Sequence, residues 1–588
     1  MSSDFLRALG EAAVKAAVDA AIQYAIGTLT RSDPTRPETF VTIKQTVPVR
    51  HFAYGRGRKS GAFAFWESAN GHTLDVIAFC HGRIAGNWQF WFHDDQITLQ
   101  PDGETDQGEN GRYGGVIHVY HREGLPTETH YAEVSAVSSA WTSSHRGDHT
   151  ASAAVVCKMV STEKMGRIYP NGQVETSAAA DWLCVYDWRD LTQSRTDPAT
   201  WKWSDNPIVC WVHDEWARNA AYWDHPTRGT LERSLANKVW SRRFLPTLDI
   251  LTDEADACDE IVGGVKRYTA FVWYMADTDR KSVREMFRRA CDGWMVERGD
   301  GAYILRCGRW LVNPSPIDDS MLVEVSLRAG IAKSELINEL QIRFTSWDHN
   351  HEVVDTTPWT DEASIGKRGR KTDVLELPEV NTNGQARRVG KSAFSALSAQ
   401  HRGSLTIDLD RAPDNLFDYR FQRVQSVEGS SAFRDMVVEF GRPEINLLER
   451  TITVDFRSAD PARYEWDAET EEGPGPAGTI RPPTEGTPVP TLIGDPVFSD
   501  NAIRFTLDGP LPSEGLTPVI RWWPTDNPAS VTTMDSALYA GPDDDFYIYS
   551  GTILGYPPTL DGLTAQVAYR NAAGTLGGFT AEFLITVS

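Results

Sequence analysis

The sequence predicts a multidomain, mainly β protein with α+β domains, introduced by an N-terminal helix and closed by a C-terminal β-sandwich. Three observations predict this class. With 588 residues and 41% apolar composition, the chain can supply about four domains with a core each. From Val41 apolar residues recur at every second position for about 170 residues, and after Trp216 helical spacing alternates with strand spacing. A Pro/Gly-rich stretch beyond Glu471 then sets off about 100 residues of short strands and turns.

Residues 1–32 read as one amphipathic helix. Arg7, Glu11, Lys15 and Asp19 recur every four positions with alternating sign, a single stripe of i,i+4 ion pairs. Phe5, Leu6, Leu9, Val14, Val18, Ile22, Ile26 and Leu29 cover most of the remaining circumference, so the helix needs a partner. The mixed-sign stripe lacks the basic face of a membrane-surface helix and favours packing against its own copies or another protein's helix. Gly27, Asp33-Pro34 and Arg36-Pro37 end it and start a connector.

Residues 41–215 read as a β-rich region. Val41, Ile43, Gln45, Val47 and Val49 alternate, as do Trp88, Phe90 and Phe92, while Val76 to Cys80 suits a strand buried on both faces. Asp102-Gly103, Asn110-Gly111 and Asn171-Gly172 mark turns. Gly55, Gly57 and Gly61 punctuate a bulged strand, and Arg56, Arg58 and Lys59 read as a solvated edge.

Residues 216–347 alternate helices with strands. Thr252 is placed as the cap of a helix with Ala255, Cys258, Ile261 and Val262 facing inward. Val283, Met286, Phe287, Ala290 and Cys291 carry a second helix after Asp277 or Thr278, ended by Gly293 and followed by a hairpin turning at Gly299-Asp300-Gly301. In 348–468, Gln385 to Gln400 is helical and Gly403 ends it. Leu405-Ile407-Leu409, Val437–Phe440 and Ile452–Phe456 are strands.

A stiff linker spans 469–487, and 488–588 read as the sandwich. Its final hairpin, Asn571–Gly574 before Phe579–Val587, resembles that of a fibronectin type III module. Trp522 and Trp523 adjoin in a strand, so one is expected in the core and the other outside, where an interface, a capped edge or a sugar would cover it.

Composition narrows the function classes. The seven cysteines are scattered without C-x-x-C spacing, which reads as buried thiols in a cytosol-made protein and as neither a disulfide frame nor a zinc site. No basic segment followed by an apolar run opens the chain as a signal, and charges interrupt every apolar stretch before about 18 residues. The net charge is −23, and Asp460 to Ser588 holds 18 acidic and 5 basic residues, hence −13. Duplex binding is disfavoured, because phosphate contacts need a basic footprint; acidic walls would instead let DNA slide past.

Three ordered blocks carry a family resemblance. The first is Pro48, Arg50, Tyr54, Gly55, Arg58 and Gly61 with Leu74–Ile84 and Gly86; the second is Trp141, His145, Arg146 and Gly147. The third runs from Val185-Tyr186-Asp187-Trp188-Arg189 to Trp203-Ser204-Asp205-Asn206-Pro207. Over about 41 to 470 the chain resembles the tail-tip or baseplate hub proteins of long-tailed phages, the host-specificity (tip attachment) family. The resemblance implies a β-rich ring domain over 41–215 on the end of the tail tube with a second β-domain inserted in it at about 101–200, two α+β hub domains over 216–347 and 348–468, and a homotrimer. It also implies a virion location at the tail tip after synthesis in the host cytoplasm. Its implied partners are a distal tail protein, the tape-measure protein and a separate fibre or receptor-binding protein, with DNA in transit and no stable membrane insertion. The resemblance implies no cofactor and no enzyme. The alternatives are a carbohydrate-binding or carbohydrate-cleaving protein, motivated by 20 tryptophans and the sandwich, and a component of a tail-derived secretion device or tailocin.

No catalytic residue emerges. His349-Asn350-His351 spells a nuclease motif, but Val353-Val354 and Pro358 deny it a helix. On a threefold axis His349 and His351 would offer six imidazoles to an octahedral metal; otherwise they are surface histidines. His118 and His121, three apart in a strand, point to opposite faces. His213, Asp214 and Glu215 form a cluster in sequence only. The many carboxylates single out no pair at glycosidase spacing, and G-x-S-x-G, P-loop and H-E-x-x-H motifs are absent.

Overall fold

The computed structural model describes residues 48–93, 95–105, 112–161, 168–169, 173–331, 336–426, 434–476, 490–499, 502–508, 517–525, 532–535, 537–539, 548–552, 563–570 and 579–587. The helix expected over 1–32, with Phe5 to Leu29, lies outside them, as do Asn110-Gly111, Asn171-Gly172 and most of the linker.

Mainly β architecture is borne out. The first strands are β1 (His51–Tyr54), β2 (Arg56–Ser60), β3 (Ala62–Ala69), β4 (His72–His81), β5 (Ile84–Phe92), β6 (Asp95–Ile97), β7 (Ile117–Glu123), β8 (Thr150–Lys158), β9 (Thr176–Val185) and β10 (Lys202–Trp203). One antiparallel sheet runs β3-β4-β8-β7 and another β10-β9-β5-β6. β5 occupies one edge of β9, so β2 and β10 share the other. Closed in on both edges, β9 is buried at all ten positions, where Ala178, Ala179 and Ala180 leave room for neighbouring strands and side chains.

Glycines set how closely the chain can approach itself here. At Gly55, where φ is +71°, an added Cβ would sit 1.8 Å from the carbonyl oxygen of Ala270. At Gly57 it would enter the Phe271 ring. That close approach lets β1 pair antiparallel with Val272–Met275, from His51 opposite Met275 to Tyr54 opposite Val272, and so joins the first region to the third.

In the third region the helices are Pro207–Trp216, Gly229–Val239, Leu248–Asp259 and Arg280–Ala290. Arg280–Ala290 fulfils its expected pattern: Asp279 caps it, Val283, Phe287, Ala290 and Cys291 are buried, and the hairpin of Trp294–Glu297 with Tyr303–Arg306 follows. Thr252 is not a cap. The helix begins at Leu248, and the Thr252 hydroxyl donates back to the Leu248 carbonyl. Ile261 and Val262 leave that helix and pair with Val265 and Lys266 across Gly263-Gly264, both at positive φ, a tight turn that only glycine makes without strain.

Farther on, Glu339–Ser346 pairs with Glu352–Asp355, Trp359–Thr360 and, in parallel, Thr372–Leu377. The helix Asn383–Leu397 packs on it, with Gly390 against Ile342. Gly403 does not end this helix. It lies inside strand His401–Asp408, where a Cβ would strike the Ser326 carbonyl oxygen at 1.8 Å. That strand belongs to a seven-stranded sheet with Leu322–Ala329, Thr451–Ser458 and Met436–Phe440. One buried apolar cluster extends from Phe52 to Leu397, and a second gathers Leu405, Val438, Ile452, Val454 and Phe456.

The last strands form two sheets, one holding Thr491–Ser499, Ala502–Asp508 and Ile548–Thr552, the other Thr517–Pro524 between Thr532–Asp535 and Leu563–Arg570. The expectation of one outward tryptophan fails, since Trp522 and Trp523 are both buried. Trp523 shares its side of the strand with Arg521, whose guanidinium lies over it and over Phe579.

Candidate functional site

The third block of the resemblance is assembled around one carboxylate. Asn206 caps the Pro207–Trp216 helix, its Oδ1 accepting from the N–H groups of Ile208 and Val209, with Pro207 at the position where a missing N–H costs nothing. Its amide nitrogen is left to donate to the Ala255 carbonyl at 2.8 Å and to Asp259 at 2.9 Å. Arg189 grips both oxygens of Asp187 and reaches Asp256 at 2.8 Å and Asp259 at 2.9 Å. Lys266, on the Gly263-Gly264 hairpin, bridges Asp205 at 2.7 Å and Asp259 at 3.0 Å. Burial alone would raise the Asp259 pKa, but Lys266 and Arg189 outweigh it and hold the carboxyl below its usual range.

Aromatic rings fill the space behind this network. Trp216 meets Tyr186 at 6.0 Å, Trp240 at 5.1 Å and Trp223 at 5.8 Å between centroids, and Arg195 lies over Trp216 and Trp240. Trp203 donates from its indole N–H to the Gly55 carbonyl at 3.1 Å, tying the third block to the first.

His213, Asp214 and Glu215 are more than neighbours in sequence. Tyr54 and Tyr274 both donate their hydroxyls to Asp214, and Arg280 pairs with Asp214 and Glu215. Arg284 holds Glu215 by two hydrogen bonds of 2.8 Å. Burial, with Asp214 beside them, pushes both phenols well above their ordinary pKa. His213 lies 3.4 Å from the Tyr54 hydroxyl, and burial lowers its pKa to about 3, so it is neutral. Tyr54 and Asp214 are 0% and 1% exposed, which leaves a substrate no approach; the group clamps β1 to two helices.

Arg58 and Lys59 are not a solvated edge, since β2 pairs along its edge with β9 and is covered by side chains from distant segments. Arg58 donates to Ser177 Oγ at 2.9 Å and the His93 carbonyl at 2.7 Å and lies over Trp91. Lys59, 1% exposed, donates to the carbonyls of Ser60 and Phe79 and lies 3.3 Å from His51 Nδ1, among the rings of Phe79, Trp182 and Trp273. Burial brings its pKa down to about 7 and that of His51 to about 3. A cavity of about 230 Å³ adjoins this point, lined by His51, Cys80 and His81 and, from the first and second blocks, by Arg50, Trp141 and Arg146.

Other buried charges were not legible in advance. Glu254 accepts from Arg306 and Arg309, and Glu439 from Arg420, Arg457 and Arg463; the three arginines hold Glu439 well below its ordinary pKa although burial opposes them. Each links segments more than fifteen residues apart.

His349 Nδ1 lies 2.9 Å from Ser346 Oγ, whereas His351 is buried with its ring edge-on to Trp91 and its pKa lowered by burial to about 3. His118 stacks on Tyr120 while His121 faces Trp88, so the two point to opposite sides as expected. Among the described residues no three His, Cys, Asp or Glu side chains are placed to hold a metal, and no helix is long and apolar enough to cross a membrane. All seven cysteines are buried and unpaired, as expected.

No family model matches the chain, and no curated protein does. Among solved structures it is similar to a chain in the virion of a native gene transfer agent particle, at 13% identity and TM-score 0.46, covering 79% of this chain and 97% of that one. It is also similar to the 43 kDa tail protein of prophage MuSo2 from Shewanella oneidensis, at 9% identity and TM-score 0.24, covering 71% and 96%. A third similarity is to the prophage tail protein gp18 from Listeria monocytogenes EGD-e, at 7% identity and TM-score 0.22, covering 69% and 94%.

Proposed function

We propose that this chain is a structural virion protein, a trimeric hub at the distal end of a phage tail that closes the tail tube, anchors fibre proteins and opens for genome passage. The observation that carries this reading is the convergence of Arg189, Asn206 and Lys266 on Asp259. The residues of the third block lock strands and helices to one another, which suits a ring that must hold its shape under tension. The buried clamp of Tyr54, Asp214, Tyr274 and Arg280 supports the same reading.

Its work is mechanical: the ring holds until the receptor is engaged and then lets the tape measure and DNA pass. No enzyme activity, metal or cofactor is assigned. The domains over 41–215, 216–347 and 348–468 build the hub, and 488–588, read as a fibronectin type III-like module, faces the fibre. The helix over 1–32 meets its own copies or the tape-measure protein, and a distal tail protein adjoins the ring. The acidic balance of the chain suits DNA in transit. Antibody labelling of purified particles tests the location: signal at the tail tip is expected, and particles without the chain would refute the reading.

A further inference from the structure

We propose that the exposed face of the Gly229–Val239 helix docks onto the Glu444–Arg450 hairpin tip of a second copy of this chain. The proposal rests on the trimeric reading above, because copies in a closed ring meet through two different patches, each patch on one copy facing the other on the next.

The helix surface is anomalous for this protein. In a chain of net charge −23, Lys238 and Arg242 have no carboxylate partner among the described residues. Thr230, Ser234, Lys238 and Arg242 line a surface groove of about 580 Å³. Leu231 and Leu235, one turn apart beside it, are 61% and 47% exposed, and Leu245 just beyond is 54% exposed. A cluster of exposed leucines beside unpaired cations is a mark of an interaction surface. The helix runs into a π-helical turn at Trp240–Phe244, a rare geometry that recurs at functional sites.

The hairpin supplies the complement. Among the described residues, strand Glu444–Asn446 pairs only with Thr451–Ser458 and has no strand on its other edge. Asn446 Oδ1 accepts from the N–H groups of Leu448 and Glu449, which fixes the turn and holds its leucines outward. Ile445, Leu447 and Leu448 are 48%, 76% and 98% exposed. Arg450 at the tip is neutralised by Asp410, whereas Glu444 and Glu449 are exposed without a cationic partner among the described residues. Apolar groups flanked by free anions thus face apolar groups flanked by free cations, and opposite charge fixes the register while the leucines supply the contact area.

Charge-swap variants of the full-length chain test the pairing, with mass measured across a concentration series. K238E/R242E and E444K/E449K should each weaken self-association at least tenfold, and the four substitutions together should restore it to within a few-fold of the wild type. L447D/L448D should dissociate the assembly with an unchanged melting profile. Wild-type-like association of K238E/R242E, or failure of the combined variant to recover, would overturn the docking while the hub reading stands. A wild type that is monomeric at every concentration but present in particles has the same meaning. Absence of the chain from particles would instead overturn the hub reading, whatever the variants do.

Discussion

Arg189 and Asp259, seventy residues apart in sequence, lie 2.9 Å apart and join the turn after β9 to the end of the Leu248–Asp259 helix. Because Asn206 and Lys266 reach the same carboxylate, its loss removes one contact from each of Arg189, Lys266 and Asn206, which keep Asp187, Asp205 and the Ala255 carbonyl as partners. Asp259→Asn should therefore lower stability by about 1–3 kcal/mol, below the range of fully buried pairs because the side chain is 30% exposed. Urea unfolding followed by tryptophan fluorescence measures this, since Trp188, Trp216 and Trp240 stand beside the network. An unchanged midpoint would remove Asp259 from the centre of the account.

Lys59 makes stability depend on pH above neutrality. Burial lowers its folded pKa to about 7 from the ordinary 10.5, so the unfolded chain binds more protons between those values and stability rises with pH there. Below about pH 7 both states are charged and the full desolvation cost stands. Lys59→Met should raise the unfolding midpoint at pH 6.5 and abolish the difference near pH 10. A pH-independent difference would contradict the buried cation.

Four histidines act in the acid range. His51, His81, His213 and His351 are lowered by burial to about 3, so between about pH 6.5 and 3 the unfolded chain takes up protons that the folded one refuses. Stability should fall steadily as pH drops through that window. In NMR spectra their ring protons should not titrate above about pH 5; a midpoint near 6.5 for His213 would show that it is hydrated.

Two glycines at positive φ should respond differently. Gly55→Ala places a methyl 1.8 Å from the Ala270 carbonyl oxygen and should cost more than about 3 kcal/mol or prevent folding. Gly71→Ala, at φ +74° with nothing within 4 Å, carries only the backbone strain of about 1 kcal/mol. Equal losses in thermal melts would mean that β1 does not approach Ala270 so closely.

Deletion of residues 1–32 should leave the melting of the remaining chain unchanged and lower its recovery in particles. Full incorporation and infectivity would dissociate that segment from assembly.

Local signals were legible in this sequence, and long-range burial was not. The spacing from Val283 to Cys291 and Gly299-Asp300-Gly301 mark a helix and a hairpin because periodicity and turns act within a few residues, although the cap is Asp279 and not Asp277 or Thr278. Gly263-Gly264 carried an equally local signal for the hairpin that Ile261 and Val262 join. Lys59 reads as solvated because nothing nearby in sequence reveals that Phe79, Trp182 and Trp273 will enclose it. His213-Asp214 likewise gain their partners from Tyr54, Tyr274 and Arg280, sixty or more residues away. Strand alternation predicts one wet ring at Trp522-Trp523; it does not foresee that Arg521 covers the outer one, which removes the motive for a sugar-stacking site.

The most direct test of the hub is the mass of the purified full-length chain, alone and as recovered from particles. The account predicts three copies in one complex and the same complex at the tail end. A species that stays monomeric and is missing from particles would contradict it.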